Sequence, residues 1–125
     1  MNVDFKILPA AVATAQAETR AEVLGRLADT FAAAYRLDRE SILDGLEERE
    51  SLGSTGFGHG AAIPHCRSTE VSRPTVALLN LKQAVDFAAA DAMPVSIVFG
   101  LVSPENAGAT HLHALAAISR LLRDE

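Results

Sequence analysis

A single α/β domain built around a largely covered sheet is the fold class that the sequence predicts, on three observations. Two apolar runs of strand length, Thr75 to Leu81 and Val95 to Leu101, each follow a proline, and their continuous hydrophobicity marks strands covered on both faces. Three other stretches repeat their apolar residues at helical intervals. The chain's 125 residues, 49% of them hydrophobic, suffice for one core, and no long polar run divides them, so positions 1–125 are read as one unit.

Taken in order, Phe5 to Leu8 reads as a short strand, and after an Ala-rich stretch a helix is expected from about Thr19. Thr19 and Glu22 have capping-box spacing, and Val23, Leu24, Leu27 and Phe31 fall on one face. A second helix starts at Asp38, whose carboxylate can cap free amides while Leu37 and Ile42 occupy the two positions of a hydrophobic staple. Ile42, Leu43 and Leu46 form its buried side. It should stop near Arg49 or Glu50, because Ser51 to Gly60 contains four glycines and is read as a loop. Between the two apolar strands, Val85, Asp86 and Phe87 make a short extended piece, with a turn near Asp91. A last helix is expected from about Thr110, with Leu112, Leu115, Ala116 and Leu122 in its apolar stripe.

Composition excludes several function classes. The net charge is −5, with Lys6 and Lys82 the only lysines, so there is no basic stripe for a nucleic-acid backbone and neither DNA nor RNA is an expected partner. An acidic chain is better suited to docking on a basic protein surface. Apolar stretches such as Val95 to Val102 fall short of the roughly 20 residues that span a bilayer, so no membrane insertion is expected. Asp4 stands where a secretory signal would carry basic residues, so a cytoplasmic location is expected. Cys66 is the only cysteine, which rules out an internal disulfide and a thiolate-rich zinc cage.

The segment that carries chemistry runs from Arg49 to His65. Gly53, Gly56, Gly58 and Gly60 let main-chain amides approach an anion, and Ser54 and Thr55 add hydroxyl donors; a surface loop without ligand accounts for a glycine run equally well. The segment lacks the Lys-Ser/Thr ending of a nucleotide-binding P-loop and the spacing of the dinucleotide fingerprint. His65 follows Pro64, and a neutral imidazole can accept a phosphoryl group and pass it on; a histidine bonded to a nearby carbonyl fits the same position. His111 falls in the first turn of the last helix, where free amides favour an anion, or else it is a capping residue. Arg49 ends the second helix beside the loop, where its fork suits either two phosphate oxygens or the helix dipole. Cys66 reads as a small half-buried residue rather than a nucleophile, whereas Asp86 and Asp91 fit an acidic pair for metal or proton transfer or, as well, turn-forming and capping roles.

Together these residues resemble the enzyme IIA domain of the phosphoenolpyruvate-dependent phosphotransferase system, of the fructose, mannitol and nitrogen-regulatory type. The most specific part is one block: Glu48-Arg49-Glu50, Gly53-Ser54-Thr55-Gly56, Gly60 and Ala62-Ile63-Pro64-His65. Val85-Asp86-Phe87 with Asp91, Pro94-Val95, Pro104-Glu105 and His111-Leu112 with Leu115 and Ala116 extend it over nearly the whole chain. The resemblance implies a mixed parallel and antiparallel sheet with helices on both faces. It implies His65 as the phosphorylated residue, with Arg49 and His111 around the phosphoryl group and the Gly53 to Gly56 loop supplying amides. It also implies the histidine-containing phosphocarrier protein as donor, an enzyme IIB domain or a regulated protein as acceptor, and no metal or organic cofactor. A free-standing chain favours the nitrogen-regulatory form over a sugar-specific one. Members of the family continue through a further helical segment beyond the position of Glu125; its absence would expose apolar surface and promote association.

Two readings from other classes are kept for test. One is a metal-binding module using His59, His65, His111 and His113, which needs three or four ligands converging. The other is a nucleotide-binding domain using the glycine loop, weakened by the absence of a lysine near it.

Overall fold

Strand Val95–Pro104 is the axis of the molecule, because the five other strands described reach it directly or through one neighbour. The computed structural model describes residues 8–89, 91–106 and 108–123, apart from the side chains of residues 109, 110 and 121–123. In chain order the strands are β1 (Val12–Ala15), β2 (Gly56–Gly58), β3 (Ala61–Ala62), β4 (His65–Ser68), β5 (Thr75–Val85) and β6 (Val95–Pro104). The helices are α1 (Arg20–Tyr35), α2 (Arg39–Ser51) and α3 (Ala109–Arg123), with a single 3-10 turn at Pro9–Ala11.

The sheet runs β1-β5-β6-β3-β2, with β4 also paired to β6. β5 and β6 are antiparallel, whereas β1 on β5 and both β3 and β4 on β6 are parallel, so the sheet is mixed as expected. β3 and β4 lie along one side of β6, separated only by Ile63 and Pro64. Proline has no amide hydrogen for the ladder, which explains the break. The ladder continues through the Pro64 carbonyl, which accepts from the Leu101 amide at 3.0 Å.

Alternation along β6 distributes the core to two faces. Val98 and Val102 join Leu27, Phe31, Ile42 and Leu46 beneath α1 and α2, while Leu101 packs with Ala114 and Ile118 of α3 on the other face. Helices therefore flank both faces. Gly100 lies where α1 comes closest: an added Cβ would meet both Leu27 methyls at 2.7 Å and Phe31 at 2.9 Å.

The two N-caps form where the sequence places them. Thr19 Oγ1 accepts from the Glu22 amide at 3.1 Å, and Glu22 reaches back to the Glu18 amide at 2.7 Å, one residue beyond the usual capping-box partner. Asp38 Oδ2 accepts from the Ser41 amide at 3.2 Å, with Leu37 and Ile42 buried together as the staple. Val85 belongs to the end of β5 and is not part of a separate extended piece.

Two further expectations are corrected, and one falls largely outside the described residues. The strand at Phe5 to Leu8 lies outside the described residues except for Leu8, and the first strand described is Val12–Ala15, whose Ala-Thr-Ala composition carries little strand signal. The glycine stretch is not all loop: β2 and β3 form a hairpin turned by His59 (φ 56°) and Gly60 (φ 82°), two left-handed residues as a tight primed turn requires. The stripe proposed for α3 is rotated: Leu112 and Ala116 face solvent, and His111, Ala114 and Ile118 face the sheet, because the helix turns His111 inward to Ser103. Leu122 lies outside the described side chains. Among the described residues, no helix is long and apolar enough to cross a membrane.

Candidate functional site

Where β4 leaves the Pro64 break, His65 projects into a cleft of 330 Å³ between the end of α2 and the start of α3. Arg49, Leu52, His65, Arg67, Glu105 and His111 are among the residues lining it. The 65/111 pairing that the sequence left open is realised: the two imidazole centroids lie 5.4 Å apart, tilted by 50°.

The hydrogen bonds of His65 determine which nitrogen can react. Nδ1 lies 2.8 Å from the Ile63 carbonyl, which can only accept, so Nδ1 carries the proton. Arg49 donates from Nε to Nε2 at 3.2 Å, so Nε2 carries a lone pair turned to the cleft. Burial, opposed by the Ile63 hydrogen bond and reinforced by the nearby Arg49 charge, holds the ring's pKa below its usual 6.5. The ring is thus neutral at pH 7, the form in which an imidazole nitrogen can act as a nucleophile.

Arg49 is itself fixed. Its NH1 donates to the Gly53 carbonyl at 2.8 Å, and the glycine there, at φ 153°, turns the chain out of α2 so that the carbonyl points back. His111 is buried in the first turn of α3, with Nδ1 2.7 Å from Ser103 Oγ. Burial first, then the charges of His65 and Arg67, lowers its pKa to about 4. It too is neutral, able to give a hydrogen bond without bringing a positive charge.

The loop residues Gly53, Ser54, Thr55 and Gly56 contribute differently from an open anion cradle. Ser54 Oγ donates to the Phe87 carbonyl and accepts from the Gly56 amide at 2.9 Å. Thr55 gives both its amide (2.8 Å) and its hydroxyl (2.6 Å) to the buried Glu50 carboxylate, which also has Arg20 at 3.5 Å. These groups brace the end of α2, and Gly53 acts through its carbonyl on Arg49.

Four participants escaped sequence reasoning: Ile63, Glu50, Arg67 and Ser103. Period-two alternation from His65 would have found Arg67, which shares the cleft. Ile63 acts through its main-chain carbonyl, and Glu50 and Ser103 through side-chain bonds to Thr55 and His111, five and eight residues on, spacings that no periodic pattern singles out. Among the described residues, no group of three or more histidines, cysteines or acids is placed to hold a metal. His59 instead sits at the hairpin turn, its amide donating to Asp91 at 2.9 Å. Asp86 and Asp91 accept from turn amides. Cys66 is buried under Gly45, and burial pushes its thiol up to about 12, far from a thiolate.

Residues 9–125 match the model of the phosphoenolpyruvate-dependent sugar phosphotransferase system EIIA 2 family. A nitrogen regulatory protein of Bradyrhizobium diazoefficiens is 37% identical over 126 residues, covering 100% of this chain and 82% of that protein. A fructose-specific EIIA component of the same system from Haloferax volcanii is 42% identical over 88 residues, 70% of this chain and 57% of that one. Among solved structures, the nitrogen regulatory protein IIA-Ntr of Neisseria meningitidis superposes with a TM-score of 0.83 at 31% identity, over 90% of this chain and 78% of that one.

Proposed function

Because the chain belongs to the EIIA 2 family of the phosphoenolpyruvate-dependent sugar phosphotransferase system, we propose that it is a nitrogen-regulatory phosphocarrier, charged on His65 by a histidine-containing phosphocarrier protein in the cytoplasm. The observation that carries this reading is the disposition of His65: one nitrogen tied to the Ile63 carbonyl, the other a lone pair facing the cleft beside a guanidinium.

Transfer is an in-line displacement. The Nε2 lone pair attacks phosphorus, the N–P bond to the donor's imidazole breaks, and that imidazole leaves with the electron pair. Nδ1 keeps its proton, and the Ile63 carbonyl stabilises the positive charge that develops on the ring. Arg49 moves its donors from Nε2 to the phosphoryl oxygens as Nε2 becomes bonded, and His111 supplies a neutral hydrogen bond. Such reactions depend chiefly on positioning and on charge stabilisation, which these groups provide.

The nitrogen-regulatory assignment is supported by relatives of that name at 34–42% identity. The sugar-specific reading has its own support in the fructose-specific relative. Incubation with phosphoenolpyruvate, enzyme I and the donor carrier should place an acid-labile phosphate on His65, and His65→Ala should carry none. Label retained in that variant defeats the site. Efficient onward transfer to a fructose or mannitol enzyme IIB would replace the regulatory assignment with the sugar-specific one.

A further inference from the structure

Ser103 is fully buried on β6, on the face that carries Leu101, two pairs along the parallel ladder from His65: His65 lies opposite Leu101, and Arg67 opposite Ser103. Its Oγ lies 2.7 Å from Nδ1 of His111. A hydroxyl and an imidazole can share one proton in either direction, and here the surroundings decide. If Nδ1 carried the proton, the hydroxyl hydrogen would need a different acceptor. Nδ1 of His111 is the one hydrogen-bond partner of Ser103 Oγ among the described residues. A buried hydroxyl hydrogen without an acceptor costs about 1–3 kcal/mol. The bond therefore runs from Ser103 O–H to Nδ1, and the ring's proton sits on Nε2.

We infer that Ser103 is a positioning residue: it fixes His111 as the Nε2–H tautomer and so makes that ring a hydrogen-bond donor for a phosphoryl oxygen carried by His65. The two imidazoles 5.4 Å apart are thereby set to opposite tautomers by groups behind them. The Ile63 carbonyl leaves His65 a lone pair at Nε2, and the Ser103 hydroxyl leaves His111 a proton there. One ring is built to attack and the other to donate. Burial first, then the charges of His65 and Arg67, lowers the pKa of His111 to about 4, so the ring is neutral at pH 7 and holds one proton that the Ser103 bond can place.

The catalytic half of this inference rests on the phosphocarrier reading; the tautomer does not. Long-range proton–nitrogen correlation NMR of the nitrogen-15-labelled protein at pH 7.5 reads both rings. The expected pattern is a protonated Nε2 in His111 and a protonated Nδ1 in His65. Ser103→Ala should give His111 a mixture of tautomers, leave His65 unchanged, and slow phosphoryl transfer from the donor about tenfold, the equivalent of one hydrogen bond. Ser103→Thr, which keeps the hydroxyl, should restore the tautomer and the rate. If the alanine protein does not fold, Ser103→Val, close in shape to threonine but without a hydroxyl, serves the same comparison. A protonated Nδ1 in wild-type His111, or a Ser103→Ala or Ser103→Val protein that keeps either the tautomer or the rate, overturns the inference. Failure of the phosphocarrier reading would look different: wild-type His65 would carry no acid-labile phosphate, whatever the tautomers.

Discussion

Arg49 holds His65 and the loop at once: its Nε donates to His65 Nε2 at 3.2 Å while NH1 donates to the Gly53 carbonyl at 2.8 Å. A guanidinium can do this because its donors are rigidly spaced, and an ammonium cannot serve both directions with the same geometry. The resting contact also keeps the nucleophile's lone pair from turning to other partners. Under the proposed phosphorylation of His65, the same fork would lie within reach of the new oxygens.

Arg49→Lys should therefore slow transfer to His65 by about 10²-fold, the scale of losing one preorganised donor. Folding should be little affected, because Arg49's hydrogen bonds are at most half-buried. Rapid-quench transfer assays beside urea unfolding would check both. Wild-type rates in the lysine protein would remove the fork from the mechanism.

Acid should weaken the fold through His111. Its folded pKa is about 4, against 6.5 for a free histidine, so between these values the unfolded chain binds more protons and stability falls as the pH is lowered. The loss should be on the order of 2 kcal/mol once solvent at the cleft is allowed for. His111→Gln should flatten that part of the curve, measured by urea unfolding from pH 7 to 4. An unchanged slope would mean that the ring titrates normally.

The rate of transfer has its own pH dependence. Because burial lowers the pKa of His65, its neutral form persists below pH 6.5, and the acidic limb of the rate should lie under that value. Single-turnover rates between pH 8 and 5, with a donor shown to stay charged, would locate it. A limb centred above 6.5 contradicts the burial argument.

Glu50 braces the loop by accepting the Thr55 amide and hydroxyl, so Glu50→Gln replaces one acceptor oxygen with a donor where two donors already point. Destabilisation of about 1–3 kcal/mol is expected. Equilibrium urea unfolding measures it, and an unmoved midpoint would show that the carboxylate is dispensable.

Gly100→Ala tests the packing of α1 on the sheet. The added methyl would lie 2.7 Å from two Leu27 carbons and 2.9 Å from Phe31. Overpacking of this kind costs about 1–3 kcal/mol. Thermal unfolding should show the loss, and a wild-type melting temperature would mean that the helix can shift freely.

What the sequence made legible was mostly local. Thr19 and Asp38 cap through residues three positions on, so helices α1 and α2 could be read from short spacings. β1 could not, because its residues are small and its strand character comes from pairing with Leu78 to Leu81, far along the chain. The hairpin at Gly58 and Ala61 was hidden by a turn residue, His59, that is unusual at positive φ. In α3 two apolar stripes competed, and a buried polar contact to Ser103 chose the one that periodicity disfavoured. For His65, the two roles left open from spacing are not alternatives: the bond to a nearby carbonyl is what leaves Nε2 its lone pair. Arg49, His65 and His111 were grouped by the combined string of motifs, and no single spacing would have joined them.

β6 supports both rings, pairing His65 with Leu101 across the parallel ladder and anchoring the start of α3 through Ser103 and the packing of Leu101 on Ala114 and Ile118. The gap between the imidazoles is thus inherited from one central strand, and the ordering entropy of bringing them together is spent when the chain folds, not at each encounter with another protein. A visiting partner meets a fixture whose alignment is already settled, so turnover should respond to how well the partner docks more than to any rearrangement of the receiving side.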